Sequence, residues 1–168
     1  MQPKRYLPTV SVLHVENNET VASLFHERLL QRNIYVHAVD NLQEALSVIE
    51  NMEVDLIVSD GMVPREKGLP EEKSFIPLAE GIRSLGKTTP IIAWSNSTHV
   101  HEYCKVHHLE SYSKLLLTRE RFQEKGRAYI EVKVLEPEAM AERIGEVMIE
   151  QSGLRAMAPS LKFKHYYT

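Results

Sequence analysis

Short apolar runs of strand length alternate with amphipathic segments along this chain, and that alternation narrows its possible folds more than any other feature. The runs are residues 9–15 (TVSVLHV), 34–39 (IYVHAV), 56–59 (LIVS) and 90–94 (PIIAW). Between them, residues 18–31 set Val21, Leu24, Phe25 and Leu29 on one helical face. Leu42, Ala45, Leu46 and Ile49 keep the i, i+3, i+4, i+7 spacing of a second helix, which Asp40 with Gln43 would open as a capping box. Residues 78–85 belong to a third helix. Residues 128–135 are rich in β-formers and predict a fifth strand. Pro137 then suits the first position of a last helix that carries Met140, Ile144, Val147 and Met148 inward.

Strands that alternate with helices pair in parallel through right-handed crossovers, and unbroken runs such as LIV and IIAW fit strands buried on both faces. The expected architecture is therefore a three-layer α/β/α domain around a doubly wound, five-stranded parallel sheet. Two segments exceed what five such units need: residues 65–77, charged and proline-bearing, and residues 98–126, long enough for an added helix between the fourth and fifth strands. Residues 1–152 are read as one domain and residues 153–168 as a C-terminal tail.

Composition excludes several classes of function. With 168 residues, 43% hydrophobic and 26% charged, the chain reads as a soluble globular protein. A formal net charge of -3 argues against a general electrostatic grip on nucleic acid. No apolar stretch approaches membrane-spanning length, and the start MQPKRYLPTV lacks the apolar core of a secretory signal. The single cysteine, Cys104, suits a reducing compartment, so a cytoplasmic protein is expected.

In open parallel sheets, functional groups gather beyond the carboxyl ends of the strands. Here those ends carry Glu16 and Asn17 after strand one, Asp60 after strand three and Ser95 after strand four, with Lys133 in strand five. Taken singly, each has a plain reading: Asp60 as a turn residue before Gly61, Glu16 and Asn17 as capping polar groups, Ser95 as a strand terminus, Lys133 as a solvated lysine. Together they form a set suited to phosphoryl transfer, with a carboxylate nucleophile, neighbouring acids for a divalent metal, and a hydroxyl and an ammonium for the phosphoryl oxygens.

At these residues the chain resembles the receiver domains of bacterial two-component response regulators. VLHVENNE is similar to that family's first strand with its acidic pair, HAVDNLQEAL to its second strand and helix, and DLIVSDGMVP to its phosphoacceptor strand and loop, with Gly68 in register further along. PIIAWSN resembles the strand with the switch hydroxyl, and VKVLEPEAMAERI the lysine-bearing strand that runs into the last helix. The resemblance implies a CheY-like, flavodoxin-like sheet of order 2-1-3-4-5, with Asp60 as phosphoacceptor. It further implies a Mg²⁺ site built from Glu16, Asn17, Asp60 and the backbone carbonyl of Met62, and Ser95 and Lys133 as the phosphoryl-contacting pair. Lys114, in SYSKLLL, is the alternative lysine; Lys133 is preferred because the final-helix motif follows it in register. Asn17 stands where the family has an aspartate, so weak Mg²⁺ binding is expected. The usual aromatic switch residue has Ile130 in its register.

The expected function is that of a stand-alone receiver, not an enzyme, that takes a phosphoryl group from a sensor histidine kinase or phosphotransfer protein. It would then signal through protein contacts with a downstream partner or a second copy, without nucleic acid or membrane. The alternatives are a phosphorylation-independent receiver used as an interaction module and a small α/β phosphatase with Asp60 as nucleophile; the phosphatase would want an acid at position 62, which is Met62. His101, Cys104 and His108 share a helical face with metal-ligand spacing, although a structural role is favoured. Residues 111–126 look amphipathic through Tyr112, Leu115, Leu116 and Phe122, as packing or partner surface. SLKFKHYYT, at the end of the chain, mixes lysines with aromatics.

Overall fold

A computed structural model describes residues 10–155, with side chains described through residue 151. Five strands form one parallel sheet: β1 (Val10–Val15), β2 (Ile34–Val39), β3 (Leu56–Ser59), β6 (Ile91–Trp94) and β7 (Ser111–Tyr112), in the order β2-β1-β3-β6-β7. Five helices surround or join them: α1 (Glu19–Leu30), α2 (Leu42–Asn51), α3 (Phe75–Ser84), α4 (Thr98–His107) and α6 (Pro137–Arg155). This is the expected doubly wound sheet. A short hairpin, β4 (Met62–Pro64) with β5 (Glu71–Lys73), and a short helix, α5 (Arg119–Glu124), are additions to it.

The period of two along each central strand splits the core into two layers. Val12, Leu56, Val58, Ile92 and Trp94 face α1 and α6, where they meet Phe25, Leu29, Met140 and Ile144. Leu13, Val15, Ile57, Ile91 and Ala93 face the other way, onto Ala45, Ile49, Phe75, Leu78 and Val100 of α2, α3 and α4. β3 and β6 are buried along their whole length, as unbroken apolar runs require. The inward residues of the last helix are buried as expected, and so are Phe25 and Leu29 of the first; Leu24 stands 41% exposed instead.

Helix starts follow local chemistry. Asn18 accepts a hydrogen bond from the Val21 N–H at 3.1 Å and caps α1. The cap of α2 is Asn41, not Asp40: its side-chain oxygen accepts from the Glu44 N–H at 2.9 Å, and its amide donates to Asp40. Asp40 is left orienting the cap.

The fifth strand differs from the expected one. Ser111 and Tyr112 pair with Ala93 and Trp94, whereas the β-rich stretch 128–135 adds only a single parallel bridge, Ser113 to Val134, further out at the edge. The reason is distance along the chain. Helix α4 ends at His108, which adopts a left-handed conformation (φ 56°), and the chain is then already beside β6. The segment from residue 98 is accordingly divided: α4 is the regular crossover, and the added helix α5 lies after the fifth strand. The tail expected from residue 153 begins inside α6, and residues 156–168, SLKFKHYYT among them, lie outside the described residues.

Candidate functional site

Asp60 follows β3 directly. Its N–H donates to the Val15 carbonyl at 2.9 Å, so the ends of β1 and β3 are locked side by side. One carboxylate oxygen accepts from the Gly61 N–H at 2.6 Å and the other lies 3.3 Å from the Lys114 ammonium. Only 14% of the Asp60 side chain is exposed, and that part opens onto a cavity of about 360 Å³ also lined by Met62, Ser95, Asn96 and Lys114. The chain leaves through Gly61, where a side chain has no room: a Cβ there would strike Val100 and sit 2.8 Å from the Ser95 hydroxyl. The glycine thus lets the chain leaving Asp60 pack directly against Ser95.

Glu16 directly follows β1 with its side chain almost fully buried, and its carboxylate forms an ion pair and hydrogen bond with Lys114. Burial, and then the charge of Asp60, push the Glu16 carboxyl above the usual carboxylate range; Lys114 opposes both. One ammonium therefore bridges two carboxylates that would otherwise repel. Lys114 is itself placed by Asn96, whose side-chain oxygen accepts from the Lys114 N–H at 3.1 Å, the Leu115 N–H at 2.9 Å and the Ser113 hydroxyl at 3.0 Å.

Ser95 is buried, and its hydroxyl oxygen accepts from the Ser97 N–H at 3.1 Å, which leaves its own proton free to donate. Its carbonyl is held by the His101 ring at 2.6 Å. Asn17 is exposed, and its amide donates to Glu71 on the β4–β5 hairpin. The inserted hairpin thereby presents a carboxylate beside the position where the sequence lacks one.

Among the residues singled out from sequence, the fold brings Glu16, Asp60, Met62, Ser95 and Lys114 to one crevice and sets Asn17 at its rim. It does not bring Lys133. That side chain is exposed, and the residue meets the sheet only through its carbonyl, which accepts from the Ser113 N–H at 2.9 Å. The preference for Lys133 is corrected: the ammonium across from Asp60 belongs to Lys114, because β7 is the strand that lies against β6. Asn96 and Glu71 are not singled out by the sequence, and His101 is singled out there only as a metal-ligand candidate. Asn96 had a signal, as the residue directly after the strand-four hydroxyl in WSN; His101 and Glu71 act through contacts that no local pattern announces.

The histidine–cysteine face does not form a metal site. His101 is turned to Ser95, Cys104 lies in the core with its thiol pushed up to about 12 by burial, and His108 leaves the helix axis as its left-handed cap. Among the described residues no three histidine, cysteine or carboxylate side chains converge as metal ligands, and no helix is long and apolar enough to cross a membrane. For a hard cation such as Mg²⁺, the chemistry of the crevice does fit: carboxylates of Glu16 and Asp60, the Asn17 amide oxygen and the Met62 carbonyl are all oxygen donors. With an amide at position 17, only two of them carry charge.

The response regulator receiver domain family matches residues 12–114, a span that takes in Glu16, Asn17, Asp60, Ser95 and Lys114 and stops before Lys133. No curated protein matches the sequence. Among solved structures, the chemotaxis response regulator CheY4 of Vibrio cholerae is 18% identical, with a TM-score of 0.58 over 83% of this chain and 99% of that one. The receiver domain of the sensor histidine kinase PA1611 from Pseudomonas aeruginosa, which holds a magnesium ion in its active-site cleft, is 21% identical, with a TM-score of 0.51 over 70% of this chain and 94% of that one. The receiver domain of Ssk1 from Saccharomyces cerevisiae, solved with the histidine phosphotransfer protein Ypd1, is 21% identical, with a TM-score of 0.52 over 72% of this chain and 88% of that one. These likenesses concern the fold; the sequence match covers most of the sheet and its acidic crevice, and by it the chain belongs to the response regulator receiver domain family.

Proposed function

We propose that this receiver accepts a phosphoryl group on Asp60 and passes the signal on through protein contacts. The observation that carries this reading is the placement of Asp60 at the mouth of the crevice, 3.3 Å from Lys114 and one residue from the glycine that packs on Ser95. A carboxylate oxygen of Asp60 would attack the phosphorus of a phosphohistidine donor, the P–N bond would break with the donor's imidazole as leaving group, and Asp60 would become an acyl phosphate. Lys114 would move from bridging carboxylates to pairing with the phosphoryl oxygens, and the free proton of the Ser95 hydroxyl would donate to another. Because Ser95 is tied to α4 through Ser97 and His101, a shift of Ser95 would reposition the start of that helix. A Mg²⁺ ion, when bound by Glu16, Asp60, Asn17 and the Met62 carbonyl, supplies positive charge against the incoming phosphoryl group.

A histidine kinase or phosphotransfer protein is the donor this reading implies, by likeness to the yeast receiver bound to Ypd1. The output is a downstream protein or a second copy of this chain, the setting is cytoplasmic, and the domain is a phosphoacceptor rather than an enzyme with its own substrate. The test uses acetyl phosphate or beryllofluoride with Mg²⁺. Trp94 is the reporter, since Lys114 sits 5.7 Å from its ring centroid. A fluorescence change in wild type that is lost in Asp60→Asn supports phosphoryl acceptance. No response in wild type or in Asn17→Asp would assign the chain to the phosphorylation-independent receivers.

A further inference from the structure

Beyond Asp60, the same cavity has a second wall that phosphoryl acceptance does not use. Lys73 from β5, Arg121 from α5, and Lys125 and Arg127 from the connection after it all line this space. These cations come from two separate segments, the β4–β5 hairpin and residues 121–127, both outside the five-unit fold, and meet on one cavity in a chain whose net charge is -3. Lys114 is balanced by Glu16 and Asp60, and Arg127 by Glu102 at 3.0 Å; among the described residues Lys73, Arg121 and Lys125 form no ion pair. The wall therefore carries surplus positive charge.

Surface lysines and arginines are usually solvated one by one, but two features set this group apart. Arg127 is largely buried: one guanidinium nitrogen donates to His99 Nδ1 at 3.1 Å, another pairs with Glu102, and its buried Nε–H has no acceptor. The N-terminus of α4 borders the same space, and Ser97 there makes no side-chain cap, so first-turn N–H groups remain for an anion. A fixed guanidinium, mobile ammoniums and a helix N-terminus around about 360 Å³ suit a compact ligand with more than one tetrahedral oxyanion.

We infer that this cavity binds a small diphosphate-bearing compound, held by Lys73, Arg121, Lys125 and Arg127. The ligand is either free inorganic diphosphate or a nucleoside diphosphate. The inference stands apart from phosphoryl acceptance, since the contacts are non-covalent and do not need the Asp60 carboxylate. Among the described residues that carboxylate is the one anion lining the cavity, so a ligand here and a phosphoryl group on Asp60 would repel each other within the same space.

Calorimetric titration of the full chain, without Mg²⁺ and at fixed ionic strength, tests it with inorganic diphosphate, ADP, GDP and orthophosphate as separate probes. Diphosphate or a nucleoside diphosphate is expected to bind about tenfold or more tighter than orthophosphate, since several cations then act at once. The better of those two arms identifies the source. Arg121→Glu and Lys125→Glu, both at exposed positions, should each weaken binding by about tenfold, while Lys105→Glu, an equal charge change at the far end of α4, should change it by less than about twofold. Asp60→Asn, which cannot form the acyl phosphate, should bind more tightly than wild type. No preference over orthophosphate, or equal weakening by Lys105→Glu, would overturn the site and leave only diffuse attraction.

Discussion

Lys114 settles more of the crevice chemistry than any other residue. Buried carboxylates are costly unless a cation meets them, and Glu16 and Asp60 share one ammonium. Removing that ammonium leaves two facing negative charges. Lys114→Ala is expected to abolish the Trp94 response to beryllofluoride, whereas Lys133→Ala should leave it intact; the reverse pattern would return the active-site role to the later lysine. Asn17 sets a second prediction at this scale. Replacing its amide with a carboxylate adds a charged oxygen ligand, so Asn17→Asp should bind Mg²⁺ about tenfold more tightly. Magnesium titration monitored at Trp94 reads this directly, and an unchanged midpoint would show that the amide is not at the metal. Without Mg²⁺, the same variant should melt lower than wild type, because position 17 would then face Glu71 with like charge.

Each of the two inserted elements is tied to the domain by one buried apolar residue and by polar contacts. In the β4–β5 hairpin Val63 is buried in the core, the Ser74 hydroxyl accepts from the Val63 N–H at 3.0 Å, and Arg65 pairs with Glu72 at 3.1 Å across the strands. Exposed pairs of the latter kind contribute little. Helix α5 has only six residues and could not persist alone. It is fixed by Phe122, which is fully buried, and by Thr118, whose hydroxyl accepts from the Arg121 N–H at 3.3 Å. Phe122→Ala should therefore cost about 3–5 kcal/mol, the usual range for a large aromatic lost from a packed site. Limited proteolysis would then cut first within residues 113–126, ahead of the central sheet. Equal resistance in wild type and variant would mean that α5 does not depend on this anchor.

Across the whole molecule, buried histidines tie stability to pH. His14 lies inside the sheet-α1 layer, 2.8 Å from the His26 ring, against Phe25 and Trp94, with its Nε2 buried and unpartnered. Burial first, then the neighbouring His26 and Lys114, hold it well below the ordinary histidine range; burial also lowers His26 and His101. A depressed histidine must stay neutral to remain folded, so the unfolded chain binds more protons, and stability rises with pH through this window. The contribution is complete above about pH 6.5, the ordinary histidine value, and is lost as pH falls below it. Glu16 acts with the opposite sign, since its raised carboxyl favours the folded state at lower pH, but three histidines outweigh one carboxyl that already has a cation beside it. Thermal melts should show a loss on the order of 1–3 kcal/mol between pH 7 and 5. His14→Leu should flatten that dependence; an equally steep profile in the variant would place the cause elsewhere.

What the sequence by itself determined is the part of this protein written in local periodicity. Apolar runs such as LIVS and IIAW specify buried central strands, the helical spacing of Met140, Ile144 and Val147 specifies the last helix, and strand ends specify where Glu16, Asp60 and Ser95 emerge. These signals are short-range, and each is complete within about ten residues. Which lysine meets Asp60 was a different kind of question. Two lysines were candidates, Lys133 in the β-rich stretch 128–135 and Lys114 in a segment that looks amphipathic, and the final-helix motif following in register favoured Lys133. Only the tertiary structure decided between them, because the place beside β6 goes to the segment that α4 delivers there, and Ser111–Tyr112 comes first. The same holds for the cap at Asn41, the turn of His101 onto Ser95, and the gathering of Lys73, Arg121, Lys125 and Arg127 on one cavity. Contacts between residues distant in sequence depend on how layers pack, and no local pattern records them.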